Sequence, residues 1–411
     1  MEPHPQISFD NTEFAFAYKS DKELKKARFL FRTMAIGWLV KIGTRITPWA
    51  IKMKLPIKGI IRNTIFKQFV GGETLEETAK VADKLEEYGV QVILDYGVEG
   101  GGSGEAAFDH AGEEFIKVID YAATQANIPF MSIKVTGIAR FELLEKLDAG
   151  MHASGKESLV KRYEAALAAL PEQERTEWNN IVARMRRICE AAKRDNIGVL
   201  VDAEETWIQD PVDALVMLMM DEYNKEKPFL YNTVQLYRHD RLAFLKDSFE
   251  AARQRNFILG MKLVRGAYME KERKRAAEHN YPSPIQPDKE SSDRDYNESV
   301  VFCIEHIDRI AVIVATHNEN SNLLAAKLMQ AKNLPLNHPH LHFSQLYGMS
   351  DNITFNLARA GCSVSKYLPF GPIKDVIPYL MRRAQENTSV AGQTSRELAL
   401  IKKETARRKL G

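Results

Sequence analysis

The chain has 411 residues, of which 45% are hydrophobic and 27% are charged, and its formal net charge is +2 at pH 7. This composition is typical of a globular protein with a large core, and the near-neutral charge argues against a nucleic-acid-binding protein. The three cysteines are too far apart in sequence for a disulfide framework or a zinc site, which indicates a reducing compartment: Cys189, Cys303 and Cys362.

The first 70 residues carry a strong local excess of positive charge. Between Lys19 and Lys67 there are thirteen Lys and Arg residues against two acidic residues, so the rest of the chain is net acidic. We expect residues 1–70 to form a basic helical segment that packs on the body of the protein, and a surface that touches anionic lipid is the alternative. Apolar residues recur there at every fourth position, as in an amphipathic helix: Leu30, Met34, Trp38 and Ile42.

No segment predicts a membrane span. The longest apolar run near the start, residues 29–40, is interrupted by Arg32 and is shorter than the roughly 20 residues that cross a bilayer. The N-terminus also lacks the basic region and apolar run of a secretory signal. We therefore expect a cytoplasmic protein whose only membrane contact is peripheral, at the inner face.

From residue 75 onward, helix-like segments alternate with short β-branched runs. Eight βα units favour a closed (β/α)8 TIM-like barrel, an α/β fold, over an open sheet. We assign residues 71–395 to this barrel, with a helical insertion at 139–195, and residues 396–411 to a charged C-terminal tail. The predicted strands are 90–95, 129–135, 198–202, 229–235, 258–265, 310–316, 341–345 and 362–367.

The segment 362–387 predicts a strand, a tight turn and a helix. We expect the strand to end at Tyr367, the turn to span 369–372, and the helix to begin near Asp375 so that Pro378 falls in its first turn. Arg382 and Arg383 would then share a helix face with Glu386, at a spacing that suits binding of a small anion. A solvated, salt-bridged helix end is the alternative.

Polar residues lie at or just after the carboxyl ends of the predicted strands, where barrel enzymes carry their chemistry. Arg265 to Tyr268 is the most informative group, because Gly and Ala allow close approach of a ligand and Arg binds phosphate. Taken singly, the other residues also suit structural ion pairs or satisfied polar groups, and no metal-binding motif is present. The residues at the strand ends are Lys134, Asp202, Gln235, Lys262, Arg265, Gly266, Ala267, Tyr268, Thr316, His317, Asn318, Ser344 and Tyr367.

These residues lie in motifs that together resemble the proline dehydrogenase family. The resemblance runs from about residue 75 to residue 390, with the motifs in the same order. It implies a flavin-dependent (β/α)8 enzyme. The motifs are KLVRGAY (262–268), ATHN (315–318), QLYGM (345–349), YLPFGP (367–372) and YLMRRAQEN (379–387).

Carried over to this sequence, the resemblance implies a role for each site residue. Arg382 and Arg383 would hold the proline carboxylate, with Glu386 positioning them, while Lys134 and Asp202 would complete a polar network beneath the ring. The pyrrolidine ring would be walled by Tyr268, Leu346 and Tyr367. The FAD cofactor would be held by Gln235, Lys262, Arg265, Gly266, Ala267, Thr316, His317, Asn318 and Ser344.

The resemblance also implies the reaction and its partners. L-proline would be oxidised to Δ1-pyrroline-5-carboxylate by hydride transfer to flavin N5. Electrons would pass to a membrane quinone, and a separate pyrroline-5-carboxylate dehydrogenase would consume the product. Enzymes of this family that prefer hydroxyproline carry Ser where Tyr367 stands here, which favours proline. We expect residues 282–295 to form a polar loop, which resembles the eukaryotic-type subfamily more than the shorter bacterial forms.

Two alternatives stay open on the residues alone. One is a phosphate-binding barrel lyase or aldolase, with Lys134 as a Schiff-base nucleophile. The other is a non-catalytic barrel that associates with membranes through its basic N-terminal segment.

Overall fold

The computed structural model describes residues 7–36, 58–97, 104–389 and 393–410. Its centre is a closed barrel of eight parallel strands that pair in sequence order, and β8 closes on β1 from Gln91 opposite Ser365 to Tyr96 opposite Phe370. The predicted (β/α)8 TIM-like barrel is therefore confirmed. The strands are β1 (Gln91–Tyr96), β2 (Phe130–Ile133), β3 (Gly198–Val201), β4 (Leu230–Gln235), β5 (Leu259–Val264), β6 (Ile310–Ala315), β7 (Leu341–Leu346) and β8 (Val364–Phe370).

Helices alternate with the strands and cover the outside of the barrel. In the described part of the chain, no helix has the length and apolar character needed to cross a bilayer. The α-helices are Thr12–Ala15, Asp21–Met34, Lys58–Ile61, Lys67–Phe69, Leu75–Glu86, Glu105–Ala123, Phe141–Ala153, Leu159–Ala168, Glu172–Asp195, Thr206–Tyr223, Arg241–Arg255, Met269–His279, Lys289–Glu305, Glu319–Ala331, Asp351–Arg359, Ile373–Ser389 and Gln393–Arg407, with a π-helix at Arg62–Phe66 and a 3-10 turn at Val135–Gly137.

Burial explains why the site lies at one end of the barrel. The strands are largely buried on both faces, because one face meets the helices and the other fills the barrel interior. One interior cluster is formed by Ile93, Leu200, Tyr231, Ile258, Ala311 and Ile313. Above this packed layer, the carboxyl ends of the strands carry polar side chains, and these are the groups available for chemistry.

The two ends of the described chain pack against each other on the barrel. Leu24 and Phe31 of the helix Asp21–Met34 share a core cluster with Leu400 and Ile401 of the helix Gln393–Arg407. Most of the segment expected as a charged tail is thus a helix with a buried face. The predicted amphipathic pattern also includes Trp38 and Ile42, which lie outside the described residues.

Two boundaries near the C-terminus differ from the prediction. β8 continues past Tyr367 to Phe370, because β1 pairs with it from Ser365 to Phe370. Pro369 lies near the end of β8, where a missing N–H costs little. The next helix begins at Ile373, where the carbonyl of Pro372 accepts the N–H groups of the first turn. Pro378 therefore lies in the second turn of that helix, and the prediction of the first turn was wrong.

Candidate active site

The ends of β2, β3, β5 and β8 bring three polar side chains to Asp202, the residue directly after β3. Its Oδ1 accepts hydrogen bonds from the ammonium group of Lys262 and, at 2.8 Å, from the hydroxyl of Ser132. Its Oδ2 accepts a hydrogen bond from the hydroxyl of Tyr367 at 2.7 Å. The Lys262 ammonium also lies 5.5 Å from the centre of the Tyr367 ring. Three of the predicted site residues thus meet in one buried network.

Asp202 carries a negative charge in this network. Burial acts to raise its pKa, but the positive charges of Lys262 and Lys134, with the hydrogen bonds from Lys262 and Tyr367, hold that pKa below its ordinary value. Burial, followed by the charge of Asp202, raises the pKa of Tyr367. The phenol therefore stays protonated and donates to the carboxylate, which fixes the ring at the barrel mouth.

Lys134 and Arg382 approach the same tyrosine from different elements. Lys134 follows β2, and Arg382 lies on the helix Ile373–Ser389, and both side chains are half-buried. Burial and then the negative charge of Glu204 raise the pKa of Tyr268, whereas the charges of Arg382 and Lys134 oppose that rise. Both cations are therefore close enough to act on the Tyr268 phenol.

The other predicted substrate residues have different settings. The guanidinium carbon of Arg383 lies 5.4 Å from the centre of the Tyr379 ring. Leu346 ends β7 and packs against the core cluster of the terminal helices. Glu386 lies in the arginine-bearing helix, but its side chain is outside the described residues, so its role stays a prediction.

Arg265, the residue after β5, is held from several directions. Its guanidinium donates to the carboxylate of Asp293, to Thr316 Oγ1 at 2.7 Å and to Ser321 Oγ at 3.1 Å. It also lies 4.0 Å from the centre of the Tyr296 ring. Stacking and hydrogen bonds leave the guanidinium little freedom, so its charge is fixed beside the end of β6.

The backbone after Arg265 is open and unusual. Gly266 and Ala267 have φ values of 81° and 84°, and for Ala this left-handed region is uncommon and costs about 1–2 kcal/mol. No atom lies within 4 Å of the place that a Cβ would occupy at Gly266. The helix Glu319–Ala331 begins nearby, capped by Asn318. The fixed guanidinium, the N–H groups of the accessible backbone and the helix N-terminus are hydrogen-bond donors that suit a phosphate or pyrophosphate group.

His317 is neutral in this setting. Burial, and then the positive charges of Lys366, Arg383 and Arg265, lower its pKa to about 3. Its Nδ1 lies 2.8 Å from the hydroxyl oxygen of Ser350. The imidazole therefore enters the site as an uncharged hydrogen-bonding group.

Several predicted cofactor residues are engaged by the protein itself. The buried side chain of Gln235 donates its amide hydrogens to the carbonyl of Glu204 at 2.6 Å and to the hydroxyl of Tyr237 at 2.8 Å. Thr316 Oγ1 accepts from Arg265, and Ser344 is buried in β7. Gln235 and Thr316 are thus held in place by hydrogen bonds to other protein groups, independently of a ligand.

Three residues of the site escaped the sequence prediction. Ser132, within an apolar strand, contacts Asp202, and a single polar residue in a buried run was the available signal. Asp293 lies in the segment expected as a polar loop through residue 295, but that segment is helical from Lys289 onward. Ser350 reaches His317 only through the tertiary fold.

The chain is similar to known proteins of one enzyme family. The family model described as proline dehydrogenase matches residues 78–396. Proline dehydrogenase 1, mitochondrial, of Dictyostelium discoideum is 31% identical over 428 residues, covering 97% of this chain and 74% of that protein. Hydroxyproline dehydrogenase of Xenopus laevis is 33% identical over 422 residues, covering 96% and 88%.

A solved structure has the same fold. The chain matches proline utilization A from Bdellovibrio bacteriovorus with a TM-score of 0.67 and 20% identity, over 94% of this chain and 39% of that protein. The chain thus spans about two fifths of that larger protein. At this identity the likeness supports the fold.

The fold and its mouth define a (β/α)8-barrel enzyme with a charged site at the carboxyl ends of the strands. The chain belongs to the proline dehydrogenase family. The resemblance predicted from the sequence motifs and the assignment to the oxidoreductases of this family are both confirmed.

Proposed function

We propose that this protein oxidises L-proline to Δ1-pyrroline-5-carboxylate with FAD as its cofactor. The observation that carries the proposal is the charge arrangement at the barrel mouth. An ionised Asp202 is bound by Lys262 and Tyr367, while the charge of Arg382 acts on Tyr268 across the same opening. Such a site combines fixed cations with aromatic walls, as a small zwitterion with an apolar ring requires.

The proposed substrate contacts follow from these charges. Arg382 and Arg383 would bind the carboxylate of proline, with Glu386 positioning them. Tyr268, Leu346 and Tyr367 would enclose the ring, and the Lys134 and Asp202 pair would lie beneath it. The product imine forms when the ring carbon Cδ loses a hydride and the amine nitrogen loses a proton. The main contribution of these residues is to hold the ring in one orientation.

The residues at the ends of β5 and β6 fit FAD. Arg265, the open backbone at Gly266 and Ala267, and the start of the helix Glu319–Ala331 offer donors for its pyrophosphate. Gln235, Lys262, Ser344 and the segment from Thr316 to Asn318 would hold the rest of the cofactor. When bound, FAD supplies the acceptor for the hydride of proline.

Proline is the proposed substrate rather than hydroxyproline, although relatives with both names are similar to this chain. Tyr367 supports this choice because its phenol donates a hydrogen bond to Asp202, and its ring would lie beside the proposed substrate. Enzymes of the family that prefer hydroxyproline were expected to carry the smaller Ser here. A fixed tyrosine leaves less room for an added hydroxyl group.

A membrane quinone is the proposed electron acceptor, and a separate pyrroline-5-carboxylate dehydrogenase would use the product. The helix Asp21–Met34 supports peripheral contact with the inner face of a membrane, because it exposes Lys22, Lys25 and Lys26 beside Phe29, which is 71% exposed. At low salt, the intact protein should co-sediment with anionic, quinone-containing vesicles. Failure to do so would remove the membrane proposal and leave the oxidation itself intact.

The visible spectrum of the purified protein, recorded without oxygen before and after adding L-proline, tests the main proposal. We expect a flavin band that bleaches with proline. A flavin band that responds only to another imino acid would keep the cofactor and replace the substrate. A colourless protein that FAD cannot reconstitute would refute the proposal.

Replacing Arg382 tests the division of roles. Arg382→Met should lower kcat/KM for proline by roughly 30- to 3,000-fold, since truncating one partner of a buried charge pair costs roughly 2–5 kcal/mol. FAD content should stay unchanged. Lys374→Met, which removes an exposed cation from the same helix, is the matched control. Equal loss of flavin in the Arg382 variant would contradict the assignment of Arg382 to the substrate.

A further inference from the structure

Ser350 joins the His317 imidazole to the C-terminal helix. Its hydroxyl oxygen lies 2.8 Å from Nδ1 of His317, and its backbone N–H donates to the carboxylate of Glu397 on the helix Gln393–Arg407. Ser350 and Glu397 are only 3% and 4% exposed, so water has little access to either. A helix remote in sequence therefore reaches a residue of the cofactor site through two hydrogen bonds.

Glu397 stabilises an unusual backbone conformation at Ser350. This serine has φ 50° and ψ 43°, in the left-handed region that side-chain-bearing residues seldom adopt. Its N–H is buried and would be unsatisfied without the carboxylate. Loss of Glu397 therefore removes the group that holds Ser350 in place.

The surroundings of Glu397 are charged and closely packed. The fully buried ammonium of Lys366 lies 2.9 Å from Asp351 Oδ1, and the hydroxyl of Tyr18 donates to Asp351 Oδ2 at 2.8 Å. Burial and the charge of Asp351 raise the pKa of Glu397, while Ser350 and Lys366 oppose the rise. Tyr18 of the N-terminal segment and Lys366 of the barrel thus contact Asp351. Glu397 of the C-terminal helix contacts the adjacent Ser350, which in turn contacts His317.

The contact with Ser350 engages one of the two ring nitrogens of His317. The ring is neutral, so one nitrogen is a donor and the other an acceptor. Nδ1 lies 2.8 Å from the Ser350 hydroxyl oxygen, and the direction of this hydrogen bond follows from the tautomer. The same hydroxyl is a hydrogen-bonding partner of the Glu397 carboxylate, so Glu397 competes with Nδ1 for the Ser350 proton. Nε2 has no hydrogen bond to any of the described residues.

We propose that Glu397 is a positioning residue that acts through Ser350 to fix the orientation of His317 and to hold it in one tautomer, with Nε2 as the nitrogen presented to FAD. The proposal rests on the proposed role of His317 in holding the cofactor. It makes the C-terminal helix part of the cofactor site and not merely a cover for the barrel.

A first experiment needs no flavin. The ring nitrogens of His317 are observed by ¹⁵N NMR in cofactor-free protein and identified by comparison with His317→Gln. We expect a single tautomer in the wild-type protein and a mixture of tautomers in Ser350→Ala and Glu397→Ala. A mixture of tautomers in the wild type, or unchanged signals in both variants, would overturn the proposal even if the protein binds no flavin.

A second experiment measures FAD affinity by flavin fluorescence, alongside the melting temperature of each cofactor-free variant. Glu397→Ala, Ser350→Ala and His317→Ala should each weaken FAD binding by about tenfold, the effect of one hydrogen bond to a buried group. Glu397→Gln should restore much of the affinity, because its amide oxygen still accepts the Ser350 N–H. The double variant of Ser350 and His317 should be no weaker than His317→Ala.

Glu404 provides the matched control. It is a buried glutamate on the same helix, and it bonds to Arg407 and Arg408 instead of the cofactor site. Glu404→Ala should lower the melting temperature and leave FAD affinity unchanged. If Glu397→Ala behaves in the same way, Glu397 has only a structural role and the proposal is wrong.

Discussion

Asp202 and Asp148 are both largely buried carboxylates, yet their pKa values are shifted in opposite directions. Asp202, at the barrel mouth, is bonded to Lys262 and has a lowered pKa. Asp148 lies on an outer helix, where burial and then the neighbouring charge of Asp210 raise its pKa to about 8. Its contacts are the N–H of Asp210 at 3.1 Å and the ring of His152 at 3.4 Å.

Burial acts to raise the pKa of both carboxylates, and the charge of the neighbouring group decides whether that rise is overcome. A buried charge next to an ammonium group persists, whereas one next to a second carboxylate takes up a proton. Only the first arrangement keeps a permanent negative charge in place. It lies at the mouth, where a bound substrate and cofactor would meet it.

The largest expected effect comes from removing the charge of Asp202. Asp202→Asn leaves Lys262, whose side chain is 6% exposed, buried without a counter-charge. We expect the free energy of unfolding to fall by about 3–5 kcal/mol, as measured by urea denaturation at pH 7. A loss comparable to that of an exposed substitution would mean that Lys262 finds another partner or loses its proton.

Asp148→Asn should instead raise the free energy of unfolding. The ordinary pKa of 3.8 rises to about 8 in the folded protein, so the wild type loses stability as the pH rises between these values. The variant lacks this loss and should be more stable by on the order of 1–3 kcal/mol near pH 8. Urea denaturation at pH 5 and pH 8 checks this, because the gain must grow with pH.

The smallest effect is expected at Tyr367. Tyr367→Phe keeps the ring but removes the hydrogen bond to Asp202 Oδ2. We expect the loss of this bond to weaken transition-state stabilisation by roughly 1–2 kcal/mol, so that kcat/KM for proline falls by about tenfold. Steady-state kinetics with proline measure this. An unchanged kcat/KM would indicate that the ring alone, and not the bond to Asp202, matters for turnover.

Local patterns were enough to predict much of the barrel. Continuous β-branched runs, such as Ile310–Ala315, predicted buried parallel strands, and their number predicted closure. The end of β8 was predicted too early, because Pro369 signals a break locally while pairing with β1 extends the strand. The start of the following helix was misplaced for a similar reason, since Pro378 was assumed to need the first turn.

By itself, the sequence determined the fold class, the family and the residues at the strand ends, because each depends on periodicity and on motifs readable along the chain. Only the tertiary structure decided which of these residues touch and what charge each one carries. Ser132 and Lys262 meet Asp202, and Glu397 meets Ser350, only after barrel closure and packing of the terminal helices. Charge follows because a pKa depends on burial and neighbours, which a linear pattern does not contain.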